Sequence, residues 1–377
     1  AVSHDPSLTW RTLHSNHFRV HFHDHGEPLA RRTAAIAERI HDKLVPLIGW
    51  TPGEPVDIVV EGRQDVANGF ATFFPSDRLT IYVTAPDEVS GLEDHDGWLE
   101  LVLTHEYVHI LHLDRANGAP AFLRRVFGRN VWLFPNALQP RWLVEGLATW
   151  HETDRERGVG RGQSSYYDML MRMEVARGVK PIAQINQPIV SWPGGHTPYL
   201  YGVAFHDYIA SEHGANKIRR MLDTYSDNLI PFRLNATSKA ALGGKYSQIW
   251  PRFEKYLTNR HGTRLEAIRK DGVVAGERIT HDGYYGGAAR ALPNGDLVYL
   301  RNDGMNEPAL MRRAADGRVH KLTATRPGAH LSVHPQAGVT LPLDLQGEIE
   351  VPSAGRLGVR ITAPAAVNCL VTLTGEE

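Results

Sequence analysis

The stretch Trp98-Leu-Glu-Leu-Val-Leu-Thr-His-Glu-Tyr-Val-His-Ile-Leu-His-Leu113 constrains the fold more than any other part of the chain. It is long enough for about four helical turns, and its apolar residues surround the axis instead of forming one stripe, as in a helix buried on all sides. Asp94 or Asp96 stands where an N-cap is expected. The same helix carries His105, Glu106 and His109. Burying two histidines and a glutamate without partners is costly, so the interior must supply either a hydrogen-bond network or a cation.

His105-Glu-Tyr-Val-His109 is an HExxH motif. Positions i and i+4 share a helix face, so both imidazoles can reach one metal ion. The carboxylate of Glu106, one position on, is carried beside the metal, where it can take a proton from an activated water. Histidines bonded to one another or to backbone are the plainer reading of the motif alone, because the chain has 20 histidines.

A second segment adds the missing anion. Trp142-Leu-Val-Glu-Gly-Leu-Ala-Thr-Trp-His-Glu152 reads as a helix near 140–153 in which Glu145 stands among apolar neighbours and therefore wants a cation. Gly146 and Ala148 are small enough to let this helix approach the HExxH helix closely. HExxH followed by W-L-x-E-G-x-A-x-W-x-E resembles the gluzincin zinc peptidases, the group that includes thermolysin and the aminopeptidase N-like enzymes, in its aminopeptidase-type version. The resemblance implies a zincin-like α+β domain and one Zn2+ per chain, held by His105, His109 and Glu145, with Glu106 as general base. Residues 110–144, a spacer of 35 positions, separate His109 from Glu145, which is longer than the usual gluzincin spacing. Long insertions of this kind are similar to those of a peptidase MA-like group that carries a TolB-type β-propeller behind the catalytic domain. Within the spacer, 119–135 is apolar and basic, which suits contact with a membrane or a partner; packing beside the active site is the plainer reading.

The resemblance also implies an oxyanion donor, a tyrosine in a P-Y-x-x-G segment. Pro198-Tyr-Leu-Tyr-Gly202 matches it, which makes Tyr199 the candidate and Tyr201 the alternative; a tyrosine in a glycine-containing loop entering a helix is otherwise a packing residue. Gly69-Phe-Ala-Thr-Phe-Phe74 and Leu79–Val83 lie where a substrate-binding edge strand is expected. Aminopeptidases carry a G-x-M-E-N segment there, and Gly69-Phe-Ala-Thr72 has no acid, which points to an endopeptidase. Glu152, His112 and Asp114 are candidates for orienting the ligands, or are simply packing residues.

Around this centre the chain reads as α+β. His17–His23 alternates as a first strand, residues 27–48 form an amphipathic helix, and Val56–Val60 and Leu79–Val83 are strands joined by a turn or loop through Asn68, Gly69 and Pro75. His17, His21, His23 and His25 read as a solvated strand face. Several helices follow between about 163 and 270. Near 272 glycine rises and hairpin signals appear at Pro293-Asn-Gly-Asp296 and Asp316-Gly317. Two domains are therefore expected, 1–272 and a β-rich 273–377, in which 276–335 resembles one propeller blade and the alternating tail after 339 fits the blade pattern poorly.

The net charge of −1 speaks against a nucleic-acid partner, and no apolar run is long enough to span a bilayer. Cys369, the lone cysteine, allows neither an intrachain disulfide nor a thiolate metal site. The opening Ala1-Val-Ser suits the mature end left by a signal peptidase, so a periplasmic or secreted setting is the expectation; an arbitrary cut within a longer chain would look the same. The reading from sequence is a zinc endopeptidase acting on peptides or proteins. The alternatives are a catalytically silent gluzincin scaffold that binds peptides or proteins, and a metal-dependent hydrolase with another substrate.

Overall fold

Phe18, Val20 and Phe22, then Val56, Ile58 and Val60, and then Leu79 and Ile81 are all buried, and this alternation builds the sheet on which the first unit rests. The computed structural model describes residues 7–63, 67–86, 97–187, 192–274, 276–282 and 285–324. The chain divides into two compact units, Ala1–Val273 and Val274–Glu377. The described residues are mixed α and β, with two small sheets.

The first unit opens with β1 (Trp10–His14) and β2 (Phe18–His23), followed by α1 (Glu27–Leu44), β3 (Val56–Glu61), β4 (Gly69–Thr72) and β5 (Arg78–Tyr82). The sheet order is β1-β2-β3-β5-β4; β2, β3 and β5 run parallel, while β1 and β4 are antiparallel outer strands. Helix α1 makes the crossover from β2 to β3. Pro28 and Glu27 favour its first turn, and Lys43 its last. Strand β1 precedes the strand expected to come first. It lies at the sheet edge with its side chains half-buried or exposed, so it lacks the alternation by which a half-buried strand is recognised. The link expected as a loop between β3 and β5 contains β4, which is too short to show a period.

Helix α2 (Trp98–Leu113) follows, buried at every position from Leu101 to His112. Its N-cap is Gly97, with no side-chain cap; Asp94 and Asp96 lie outside the described residues. Next come α3 (Gly118–Phe127), α4 (Arg141–Glu152), α5 (Ser165–Arg177), α6 (Thr197–His213), α7 (Asn216–Ser226), α8 (Leu234–Leu242) and α9 (Tyr246–Asp271). Gly146 of α4 does not face α2, as its small size suggested. It meets Gly202 of α6, and a Cβ on Gly146 would lie 2.4 Å from the Gly202 Cα. The two glycines let the backbones of α4 and α6 touch.

Of the four histidines read as a solvated strand face, three are instead paired within the sheet and α1, and His23 is buried. His17 bonds Glu38, His21 bonds Asp57, and His23 bonds Glu61. Between α2 and α4 the spacer is only partly packed. Arg124 and Arg129 anchor it through Asp114, and Arg129 also reaches Asp77. Phe122, Phe127 and Trp132 remain exposed, so the expectation of a packed insertion is corrected for the outer face of this segment.

The second unit contains β6 (Tyr285–Ala291), β7 (Leu297–Asn302), β8 (Ala309–Arg313) and β9 (Val319–Ala324), an antiparallel meander. Its turns place Gly295 and Gly317 at positive φ, 83° and 89°, the left-handed region that glycine enters without strain. Tyr299, Ala309 and Met311 form its small core. His334-Pro335, Cys369 and the tail after 339 lie outside the described residues.

Candidate metal centre

Because α2 is buried all round, its polar residues must find partners inside the protein, and His105 and His109 find theirs on α4. His105 Nε2 lies 3.2 Å from His109 Nε2 and 3.4 Å from Glu145 Oε2, and His109 Nε2 lies 3.3 Å from the same oxygen. Among the described residues, His105, His109 and Glu145 are the group able to hold a metal ion. The donor set fits a tetrahedral ion such as zinc. Arms of about 2.05 Å at tetrahedral angles put neighbouring donor atoms about 3.3 Å apart, which is the spacing of this nearly equilateral triangle. Two imidazoles and one carboxylate are also a common zinc donor set.

The tautomer of His105 follows from its other nitrogen. Nδ1 lies 2.7 Å from Glu152 Oε2. A carboxylate can only accept, so Nδ1 carries a proton toward Glu152, and loss of the Nε2 proton on metal binding would leave the Nε2 lone pair for the centre. Glu152 is buried, and burial alone would raise its carboxyl. Arg161, which donates to both of its oxygens, and His105 overcome that and hold the carboxyl at about 2. Burial would likewise lower His105, but Glu145 and Glu152 outweigh it and raise the imidazole to about 9. Glu145 responds in the opposite sense: despite burial, the two histidines hold its carboxyl well below the usual range.

Glu106 projects from α2 beneath β4. A Cβ on Gly69 would lie 3.0 Å from Glu106 Cγ and 2.4 Å from Val102 Cγ2, so glycine at position 69 lets the edge strand lie directly over the helix. Glu106 is buried. The cleft here has a volume of about 390 Å³; Gly69, Phe70 and Ala71 line it on the strand side, and Trp98, Glu106 and Tyr199 are among its other walls.

Tyr199 lies in the first turn of α6, not in a loop. Its ring centroid is 6.1 Å from that of His105. Arg141 donates to the Tyr199 oxygen at 3.1 Å and to Glu145 Oε1 at 3.2 Å. Because a guanidinium cannot accept, the Tyr199 hydroxyl proton is left to point elsewhere. Burial and Glu145 raise the phenol above its ordinary value, with Arg161 and Arg141 opposing. Tyr201 is turned away: its hydroxyl donates to Glu174 and accepts from the Lys180 backbone N–H. It therefore serves packing, not the cleft.

Of the three residues considered for orienting the ligands, Glu152 touches one. His112 pairs with Gln139, and Asp114 accepts from Trp50 and Arg124. Sequence reasoning missed Arg141 and Arg161. Arg141 stands four residues before Glu145, a spacing that permits an ion pair on one helix face. Arg161 lies in a 3-10 turn between glycines, and nothing in its local pattern marks it.

No protein-family model and no curated protein matches the chain. Among solved structures, the chain is similar to a crystal structure of an aminopeptidase N family protein from Idiomarina loihiensis, at 13% identity and a TM-score of 0.29. The similarity covers 58% of this chain and 41% of that one, so less than half of the other protein's length is spanned. A likeness this distant decides neither fold nor function.

Proposed function

We propose that this chain is a zinc-dependent endopeptidase. The observation that carries the reading is the near-equilateral triangle of His105, His109 and Glu145 donor atoms, with Glu106 beside it under an edge strand. Zinc held there would supply Lewis acidity toward a scissile carbonyl and lower the pKa of a water. A substrate peptide pairs with the outer edge of β4, which fixes its backbone across the cleft. Glu106 takes the proton of the attacking water and passes it to the leaving amine. The Tyr199 hydroxyl donates to the oxygen that gains charge. Arg141 holds that hydroxyl by its oxygen, so the proton faces the substrate. Glu152 fixes the His105 ring.

Endopeptidase is preferred to aminopeptidase because the described lining of the cleft offers no carboxylate beyond Glu106 and Glu145. Both have other tasks in this reading, which leaves none to bind a free α-amine. Within the same reading the second unit is one propeller-type blade, since its four antiparallel strands are the number a blade carries.

Elemental analysis of wild type and Glu145→Ala, alongside cleavage of a quenched peptide pool, tests the proposal. The expected result is about one zinc per chain, lost in Glu145→Ala, with chelator-sensitive cleavage abolished in Glu106→Gln. Zinc without cleavage would favour the peptide-binding scaffold. No zinc in either protein after reconstitution would refute the reading.

A further inference from the structure

The spacer between α2 and α4 has an outer face that nothing among the described residues of the first unit covers. From Arg125 to Trp132 every residue is exposed, and Phe122, Val126, Phe127, Val131 and Trp132 are 50–77% accessible. The segment is nevertheless held firmly from beneath. Arg124 bonds Asp114 and stacks over Phe134, Arg129 reaches Asp77 and Asp114, and the Asn130 side chain caps the turn that carries Trp132. Buried ion pairs therefore fix a face whose outer side is aromatic and aliphatic. Single exposed apolar residues are ordinary on protein surfaces, but a contiguous cluster marks an interaction site.

A second segment leaves from the same junction. The Asn117 backbone N–H donates to the Ser226 carbonyl, and Gly118 packs against the Asp227 side chain. Immediately after this junction Leu229, Ile230 and Phe232 are exposed. Phe232 has φ 62°, a left-handed conformation disfavoured for a bulky residue and kept where the surroundings impose it.

The charge pattern identifies the occupant. From Arg115 to Val144 there are five arginines and no Asp or Glu. Four of the five are paired: Arg115 with Asp223, Arg124 and Arg129 with Asp114, and Arg141 with Glu145. Arg125, on the exposed stretch, has no acidic partner among the described residues, and neither does Arg233 beside Phe232. Aromatic and aliphatic knobs on two segments that leave one junction, each segment carrying an arginine with no acidic partner among the described residues, suit a fluid anionic surface. A bilayer interface closes around protruding side chains, whereas a protein partner would need a matching relief. We propose that this face docks the protein on an anionic lipid bilayer, seating Phe127 and Trp132 in the headgroup region with Arg125 and Arg233 against lipid phosphates.

Co-sedimentation of the full chain with phosphatidylcholine vesicles, with and without phosphatidylglycerol, tests this. Wild type is expected to bind the anionic vesicles and to be released by salt. Phe127→Ser/Trp132→Ser is expected to weaken partitioning about tenfold, and Arg125→Gln about fivefold on anionic vesicles alone. Met305→Ser removes a side chain that is 91% exposed in the second unit and should change nothing. Circular dichroism of the double variant should match wild type, since both replaced side chains stand free. Absence of wild-type binding, or equal binding by the double variant, overturns the proposal. So does concentration-dependent self-association that the double variant abolishes while vesicles are ignored, which would make the face a contact with a second copy.

Discussion

Replacing Gly146 by alanine tests how α4 and α6 hold the two halves of the candidate centre together. In an exposed helix interior, Gly→Ala gains about 1 kcal/mol from backbone entropy. At Gly146 the new methyl would lie 2.4 Å from the Gly202 Cα, 2.5 Å from its carbonyl carbon and 2.8 Å from its oxygen. All three are backbone atoms and cannot rotate aside. Ordinary contact begins at 3.4 Å, so the helices must part by about 1 Å, and overpacking of this kind costs about 1–3 kcal/mol. We expect Gly146→Ala to lose up to about 2 kcal/mol in urea denaturation, the overpacking cost less the entropic gain. Gly262 of α9, where an added Cβ meets nothing within 4 Å, is the internal control and should gain up to about 1 kcal/mol on the same substitution. The separation also pulls Arg141 and Glu145 on α4 from Tyr199 on α6. In the proposed peptidase a displacement of about 1 Å lowers turnover up to about a hundredfold. A Gly146→Ala protein as stabilised as Gly262→Ala would refute the helix contact and the positional argument built on it.

Other substitutions separate the roles assigned at the site. Glu106→Gln should keep stoichiometric zinc by elemental analysis while peptide cleavage falls by about 10²–10⁴. Glu152→Gln should weaken zinc binding about 10–100-fold in a chelator competition, because His105 Nδ1 exchanges a charged carboxylate acceptor for a neutral amide. Arg141→Met should leave zinc content near wild type and lower kcat more than it changes KM, since the Tyr199 hydroxyl loses its anchor. Acid should destabilise the fold through His206, whose Nδ1 pairs with the Gly202 carbonyl and which burial lowers to about 4. Below pH 6.5 the unfolded chain takes up a proton that the folded state refuses. Stability is therefore full above that value and declines as pH falls toward 4, by about 3 kcal/mol at most from this group. Denaturation across this range should show a shallower decline in His206→Asn.

What the sequence revealed and what it hid follow from how far each signal reaches. Helix α2 was legible to its ends because the ten apolar residues among its sixteen surround the axis, and α4 was legible through Glu145 stranded among apolar neighbours. Strand β1 was not, since a half-exposed edge strand shows no alternation. Gly146 was rightly marked as a point of close approach but assigned to the wrong neighbour, because the size of a residue says that a helix comes near and not which one. Arg161 was invisible for a similar reason. Its partners, Glu152 and the Tyr199 ring, lie 9 and 38 positions away in the chain and meet it only once α4 and α6 have packed.

The three glutamates near the centre are told apart by their cations, and this is the strongest physical argument for the proposed division of labour. Glu152 is saturated: Arg161 spans both of its oxygens and His105 donates to one, so it has little capacity left to take a proton. Glu145 shares Oε1 with Arg141 and points Oε2 at the two imidazoles, the posture of a ligand. Glu106 has neither an arginine nor a hydrogen-bond donor among the described residues, although it is buried beside both histidines under Gly69. A carboxylate left without a donor in such a place is costly unless a cation lies close by or a water occupies its lone pairs. A metal held by His105, His109 and Glu145 would supply the first, and the cleft is open to the second. The glutamate with no structural partner is thus the one free to exchange protons with water, which is why we assign it the base and expect its amide variant to keep the metal and lose the chemistry.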